Sequence, residues 1–186
     1  MKVKLGVRNY LYPMPTFLVG ANVNGKPNYV TLTNFGVVDN VSSISVSLGK
    51  SHHTNVGIKE NGTFSVNVPS IKMVEKTDYC GLVTGKDNDK SRIFEHFYGK
   101  LGTAPLIKEC PINIECRLIR TYDLPKHDMF VGEIVETYCD EQCLTTGVID
   151  FSKVEPILYV RDSKGYWKLG EQFAKAWEIG KELPTT

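Results

Sequence analysis

The sequence lacks a long apolar run. No stretch approaches the roughly 18 consecutive apolar residues of a membrane-spanning helix, so no membrane partner is expected. The first residues, MKVKLGVRNYLYPMPTF, carry Lys2, Lys4 and Arg8 but no continuous apolar stretch, and Pro13 and Pro15 interrupt them. They do not read as a signal peptide, and the chain is expected in the cytoplasm. An excess of charge is lacking too: 22 basic against 21 acidic side chains leave a net charge of +1. That balance removes the usual electrostatic footprint of a nucleic-acid-binding protein. A disulfide framework is also missing. The five cysteines, Cys80, Cys110, Cys116, Cys139 and Cys143, are odd in number and expected as thiols in a reducing compartment. Cys139 and Cys143 enclose three residues, not the two of a redox or zinc-knuckle pair. The cysteines are read as small, half-buried apolar side chains, and no metal is expected.

Catalytic signatures are absent in the same way. There is no Gly-x-Ser-x-Gly, no His-Glu-x-x-His, no Gly-rich phosphate loop ending in Lys-Ser/Thr and no Gly-x-Gly-x-x-Gly. A Rossmann nicotinamide site is therefore not expected, and no catalytic side chain is assigned. Internal repeats, low-complexity tracts and Pro- or Ser-rich linkers are not found either. Residues 1–186 are read as one domain, long enough for a sizeable core.

What is present is a series of short β patterns. Thr16 to Val23 and Asn28 to Asn34 flank Asn24-Gly25, a strong two-residue hairpin signal. Ile44 to Leu48 alternates with period two, apolar on one face and hydroxyl-bearing on the other. Thr63 to Val68, Ile112 to Arg120 and Met129 to Tyr138 read as further strands. Pro156 to Val160 and Tyr166 to Leu169 bracket a hairpin loop at Arg161–Gly165. Four short helices are predicted. Thr54 to Glu60 has Thr54 as cap and stops at Asn61-Gly62; Ser70 to Tyr79 has Ser70 as cap. Arg92 to Phe97 is the third. Glu171 to Gly180 is the fourth, with Phe173, Ala176, Trp177 and Gly180 at helical spacing. Many short strands with few short helices imply a mainly β chain closed, or nearly closed, into a barrel.

One segment carries candidate chemistry. Ser47-Leu48-Gly49-Lys50-Ser51-His52-His53-Thr54-Asn55 joins a strand to a helix start. It offers backbone N–H groups, the Ser51 and Thr54 hydroxyls, the Asn55 amide and the Lys50 cation. The first N–H groups of a helix are unpaired and its dipole end is positive, which suits a phosphate. The same residue types also serve as a plain helix cap.

The order of the segments resembles the flavin reductase-like family, nearest to its flavoredoxins, over nearly the whole length. The pieces are Pro15-Thr16-Phe17-Leu18-Val19-Gly20, Thr31-Leu32-Thr33-Asn34-Phe35-Gly36, Ile44-Ser45-Val46-Ser47-Leu48 and Ser51-His52-His53-Thr54. Gly62-Thr63-Phe64-Ser65-Val66-Asn67 and Tyr79-Cys80-Gly81-Leu82-Val83-Thr84-Gly85-Lys86-Asp87 with Asp89-Lys90 follow. Next come His127-Asp128-Met129-Phe130-Val131-Gly132-Glu133 and Pro156-Ile157-Leu158-Tyr159. The resemblance implies an FMN-binding split β-barrel. Thr31, Leu32, Thr33, Asn34 and Phe35 would then run beside the isoalloxazine ring, with Asn28 within reach. Ser47, Leu48 and Gly49 lead into Ser51, His53, Thr54 and Asn55, which would hold the phosphate and ribityl chain, Thr54 foremost. Cys80 and Gly81 would stand against the flavin, and Lys90 would approach from the middle loop. His127 would reach the pyrimidine side or the reaction face, and Tyr159 would flank the site. Without the resemblance, Phe35, Phe130 and Tyr159 are as readily core aromatics.

A flavin performs the redox chemistry itself, so the missing triads and nucleophiles fit such a protein. The implied function is electron transfer between a reduced donor, NAD(P)H or a redox protein, and a flavin or protein acceptor. The implied assembly is a homodimer. Two alternatives share the barrel: a non-enzymatic electron carrier and a flavin-free ligand-binding module. The Phe173–Trp177 stripe would serve the dimer or pack back on its own barrel.

Overall fold

The computed structural model describes residues 1–183; the side chain of Glu182 is outside it, as are the last three residues of the single domain expected from the sequence. From the N-terminus, the two-residue strand β1 (Met14–Pro15) precedes the hairpin β2 (Phe17–Val23)–β3 (Lys26–Leu32). Strands β4 (Phe35–Val37) and β5 (Ser43–Gly49) follow, then helix α1 (Thr54–Asn61), β6 (Thr63–Val68) and helix α2 (Val74–Leu82). Short β7 (His96–Phe97) and β8 (Leu106–Ile107) pair with each other ahead of the long strands β9 (Ile112–Asp123) and β10 (His127–Cys139). The pair β11 (Leu144–Thr145)–β12 (Val148–Ile149), the single turn α3 (Phe151–Val154) and the hairpin β13 (Ile157–Val160)–β14 (Gly165–Lys168) come last. Among the described residues no helix is long and apolar enough to cross a membrane.

Seven antiparallel strands form one sheet in the order β3-β2-β6-β9-β10-β5-β4. Strands β3 and β4 are neighbours in sequence, joined only by Thr33 and Asn34, yet they occupy opposite edges. Two residues span too little distance to cross an open seven-stranded sheet. The sheet therefore curls until its edges approach, and the Ser47 N–H donates to the Asn34 carbonyl at 2.8 Å, which carries the β4–β5 pairing one residue into the crossing. The result is a split barrel, as the strand pattern and the resemblance predict. Irregular register between Val131 and Gly132 and between Ile134 and Glu136 of β10 adds the local twist that such curling needs.

Local sequence explains the turns. Asn24 (φ 51°) and Gly25 (φ 76°) both sit in the left-handed region, as the tight β2–β3 hairpin requires. Gly62 (φ 64°) ends α1, with its N–H donating to the Ile58 carbonyl. The interior holds Val19, Val30, Val46, Leu48, Phe64 and Phe130 from five strands, with Ile58 of α1 closing one end. A second cluster under α2 joins Leu18, Tyr29, Met73, Cys80, Phe94 and Ile107. Four of the five cysteines are buried in such clusters and Cys139 is half-buried, with all five unbridged.

Four helix expectations change; the fourth is at Ser70–Tyr79, where Ile71–Met73 is a 3₁₀ turn, α2 begins only at Val74 and Ser70 makes no side-chain cap bond. Arg92–Phe97 is not a helix; Phe94 is buried edge-on against Tyr29 at 5.5 Å, and His96–Phe97 forms β7. Six residues close too few helical hydrogen bonds to outweigh pairing with Leu106–Ile107. Glu171–Gly180 is not a helix either. Phe173 and Trp177 are fully or almost fully exposed, and a 3₁₀ turn appears only at Ile179–Glu182. The apolar spacing is real, but among the described residues no face receives it, and an unpacked short helix is marginal. The third is the cap of α1. Thr54 is its first residue, His53 is its N-cap, and no side chain caps it.

Gly132 marks the tightest point of the barrel. A Cβ there would lie 2.5 Å from the Phe64 ring and 3.0 Å from the Cys116 Cβ. Phe64 is fully buried and has no empty space to turn into. Gly132→Ala is expected to cost about 1–3 kcal/mol of stability through overpacking. A denaturant melt checks this, and an unchanged midpoint would show that the ring yields freely.

Candidate functional site

The split leaves β3 with one free edge beside the start of α1. The Tyr29 carbonyl on that edge accepts a bond from Lys90 Nζ, so it points away from β2. The two-residue period of a strand turns the N–H and C=O of Thr31 the same way. An edge of unpaired backbone groups thus borders a cavity of about 320 Å³. Its walls are Asn28 and Val30, the segment Ser51–Thr54, the segment Cys80–Lys86, and Lys90. A second cavity of about 330 Å³ meets it across Asn28, His53, Gly85, Lys86 and Lys90.

The loop Gly49–Asn55 is held by side chains rather than by a cap. Asn28 Nδ2 donates to Thr54 Oγ1 at 2.8 Å, leaving the Thr54 hydroxyl hydrogen free to donate elsewhere. Asn55 Nδ2 donates to the Gly49 carbonyl at 2.6 Å. Three buried polar atoms in this loop, His52 Nδ1, His53 Nδ1 and Asn55 Oδ1, have no hydrogen-bond partner among the described residues. Buried polar atoms are rarely left so, and three together in one loop point to a polar ligand. Gly85 is required opposite, because a Cβ there would overlap the Asn28 side chain and sit 3.2 Å from His53 Cδ2. Gly81 brings α2 close to β3: its Cβ would lie 3.3 Å from Thr31.

Electrostatics follow burial. Lys90 is 3% exposed and donates to the carbonyls of Tyr29 at 3.0 Å and Cys80 at 2.8 Å. Burial lowers its pKa below the usual 10.5, while the Cys80 thiol acts the other way. Burial pushes that thiol up to about 11, offset in part by Lys90, so it is protonated at neutral pH. Burial, then the nearby His127, then Lys90 lower the pKa of His52. His52 is therefore neutral at pH 7 and offers hydrogen bonds rather than charge. His127 opens β10 opposite Gly49, where Lys59 pairs with the buried carboxylate of neighbouring Asp128 at 2.7 Å.

The predicted residues fall into groups. Asn28, Ser51, His53, Thr54, Cys80, Gly81 and Lys90 line the 320 Å³ cavity, with Gly49, Asn55 and His127 beside it. Asn34 and Ser47 bond to each other beside the crossing, one residue beyond the β4–β5 pairing. Leu32 and Leu48 point into the barrel core. Phe35 meets Phe17 edge-on at 4.4 Å and faces a separate apolar groove. Thr31, Thr33 and Tyr159 line another cavity, which shares the Gly81–Leu82 wall. Sequence reasoning missed His52 and the stretch Thr84-Gly85-Lys86 as wall residues; the Gly-Lys pair in a polar loop was the available signal.

Lys90 has a measurable signature. A lysine whose pKa falls on folding binds fewer protons in the native than in the unfolded chain between the two values, so stability rises with pH there and levels off above the unfolded value. Lys90→Met strands two carbonyls and is expected to cost about 2–3 kcal/mol at neutral pH. It should also flatten the alkaline rise in stability below about pH 10.4. Urea melts across that range check this; parallel curves for the two proteins would overturn it.

Comparisons with known proteins agree with the geometry. The model of the family described as "Flavin reductase like domain" matches residues 8–168. The crystal structure of flavoredoxin from Methanosarcina acetivorans superposes with a TM-score of 0.95 at 46% identity, covering 97% of this chain and 98% of that one. Flavoredoxin of Desulfovibrio vulgaris (Miyazaki F) gives 0.90 at 36% identity, covering 97% and 100%. The ferric-chelate reductase (NAD(P)H) of Archaeoglobus fulgidus is 28% identical over 133 residues, 69% of this chain and 79% of that protein. On the barrel, its cleft and these likenesses, the chain belongs to the flavin reductase-like family and is a flavin-binding redox protein.

Proposed function

We propose that the flavin is FMN and that the protein is an FMN-dependent oxidoreductase. The three unpartnered buried atoms of the Gly49–Asn55 loop, beside a free Thr54 hydroxyl hydrogen, carry this reading. Thr54, exposed Ser51 and the histidines would hold the phosphate at the start of α1. The start of α1 faces a cavity of about 320 Å³ that meets a second of about 330 Å³ across Asn28 and Gly85, and a singly phosphorylated flavin would enter there. Lys86 would supply positive charge there. The free edge at Thr31 would offer one donor and one acceptor to the pyrimidine side of the ring. Lys90 would act by fixing that edge to the last turn of α2. Bound FMN would supply the electron-transfer chemistry. His127, paired with Gly49 at the start of β10, would meet the electron donor.

The donor in this reading is NAD(P)H, which the name of the Archaeoglobus relative supports, and the acceptor is a second flavin or a protein. Five unbridged thiols suit a cytoplasmic setting. The protein would work as a homodimer. A groove of about 710 Å³ lined by Phe17, Phe35, Ile44, Val66 and Ile114 is apolar apart from Ser45 and Thr137, and a second copy would cover it.

The absorption spectrum tests the cofactor and the donor. Purified protein should carry the two visible flavin bands, retain FMN after gel filtration and bleach within seconds of anaerobic NADH or NADPH. Bands bleached only by dithionite would make the protein a carrier served by another protein; no bound FMN would leave a flavin-free binding module. Thr54→Val should weaken FMN binding by about tenfold or more, the worth of one hydrogen bond to a charged group. Equal affinity would remove Thr54 from the phosphate site. Light scattering should give twice the chain mass, and Phe35→Glu should shift it to one.

A further inference from the structure

The residues ahead of β1 carry a pattern of their own. Met1, Val3, Leu5 and Val7 alternate with Lys2, Lys4 and Arg8. In an extended chain the apolar set shares one face and the basic set the other. Only Gly6 interrupts the run, at φ 73°, and a glycine returns to the extended region without steric cost. The apolar face is unused within one chain: Val3 is 73% exposed, Leu5 59% and Val7 fully. The family model begins its match at residue 8, so this arm lies outside the matched domain.

A surface that fits such an arm lies at β4. The groove of about 710 Å³ has Phe35 and Val37 of β4 on its wall, beside Phe17, Ile44 and Leu158. β4 is the last strand of its sheet and, among the described residues, pairs only with β5. The Asn34 carbonyl accepts from Ser47 and the Val38 N–H donates to the Ser43 carbonyl, so the even-numbered residues turn toward β5. The two-residue period turns the backbone groups of Phe35 and Val37 the other way, to the open edge. One strand thus offers unpaired peptide groups and, beside them, an apolar trough. An extended segment with one apolar face matches both.

The arm does not reach its own groove. β13 puts Leu158 on the groove side and Tyr159 on the opposite face. Tyr12 packs edge-on against Tyr159 at 6.3 Å, and the Tyr10 hydroxyl donates to Asp162 in the β13–β14 loop. Residues 10–12 therefore run along the far face of the hairpin and lead the arm away from the groove.

We propose that the arm of one copy adds as a strand to the open edge of β4 in a second copy, with Met1, Val3, Leu5 and Val7 in its groove, and that the second arm does the same in return. Such a contact is isologous, as a closed pair requires. It rests on the homodimer reading and names the segment that covers the groove.

Sedimentation of the full chain and two exposed variants tests the proposal. V3E/L5E/V7E places charge on the arm, and V37E places it at the open edge, where Val37 is 71% exposed. Both should keep the circular dichroism of the wild type. The arm variant should raise the dimer Kd about hundredfold or more, from three apolar side chains lost in each arm, and V37E about tenfold. Mixed in equal amounts, the two variants should dimerise more tightly than either alone, because a mixed pair keeps one intact arm facing one intact edge. A wild-type chain that sediments as a monomer would overturn the homodimer reading and this inference with it. A dimeric wild type whose arm variant dimerises as tightly, or a mixture no tighter than its components, would overturn the exchange of arms and leave the homodimer standing.

Discussion

Everything in this structure depends on a two-residue crossing. Thr33 and Asn34 carry the chain from one edge of the seven-stranded sheet to the other. That is possible only if the sheet curls, and the Asn34–Ser47 backbone bond anchors the end of the crossing to β5. Among the described residues no strand pairing joins β3 to β5. The split therefore opens from Asn34 toward Asn28, and the free edge of β3 faces the loop that begins α1. The opening is a property of connectivity before it is a property of any side chain. Unpaired strand edges are usually blunted or covered. Here Lys90 occupies the Tyr29 carbonyl.

The loop that faces this edge is held open by polar side chains. An ordinary capping residue would satisfy the first N–H groups of α1 from within. Here Thr54 has moved inside the helix, and its hydroxyl accepts from Asn28 on the opposite strand. Asn55 braces the preceding Gly49 carbonyl, and Asn61 ties the far end of α1 to the Asn22 carbonyl at 2.8 Å. Gly57 lets the helix lie directly on β2, since a Cβ would strike the Asn22 carbonyl. No side chain caps the helix start, where the Asn55 and Val56 N–H groups donate to the His52 and His53 carbonyls at 3.1 Å. A preorganised polar site of this kind binds without first paying to order its own loop.

The fold was largely legible because its signals are local. Asn24-Gly25, the period-two runs of β5, β6 and β9, and the Gly62 stop each depend on a few neighbouring residues, and each is found where expected. The failures are non-local. Helical spacing at Glu171–Gly180 says that Phe173 and Trp177 share a face, but not whether this chain holds a surface to receive it. Arg92–Phe97 reads as a helix until Leu106–Ile107 competes for it. The site divides the same way. Ser51, His53 and Thr54 were legible from the strand-to-helix junction. That Lys90 is bound to two carbonyls, or that Tyr159 stands behind the Gly81–Leu82 wall, depends on how β3, α2 and the β13–β14 hairpin meet.

The same burial argument separates the flavin from the thiols. Burial pushes Cys116 up to about 12 and Cys110 well above its ordinary value, with nearby Glu115 and Glu109 adding to it respectively. Cys80 stays near 11 although Lys90 is its neighbour. Attack on a disulfide or an electrophile needs thiolate, and at neutral pH these three are almost wholly protonated. The odd cysteine count, which invites a redox reading, is thus answered by packing: Cys116 fills the barrel core and Cys80 the cluster under α2. At these three positions burial disfavours thiol chemistry, and the cleft contributes shape, an unpaired strand edge and a helix start without a side-chain cap.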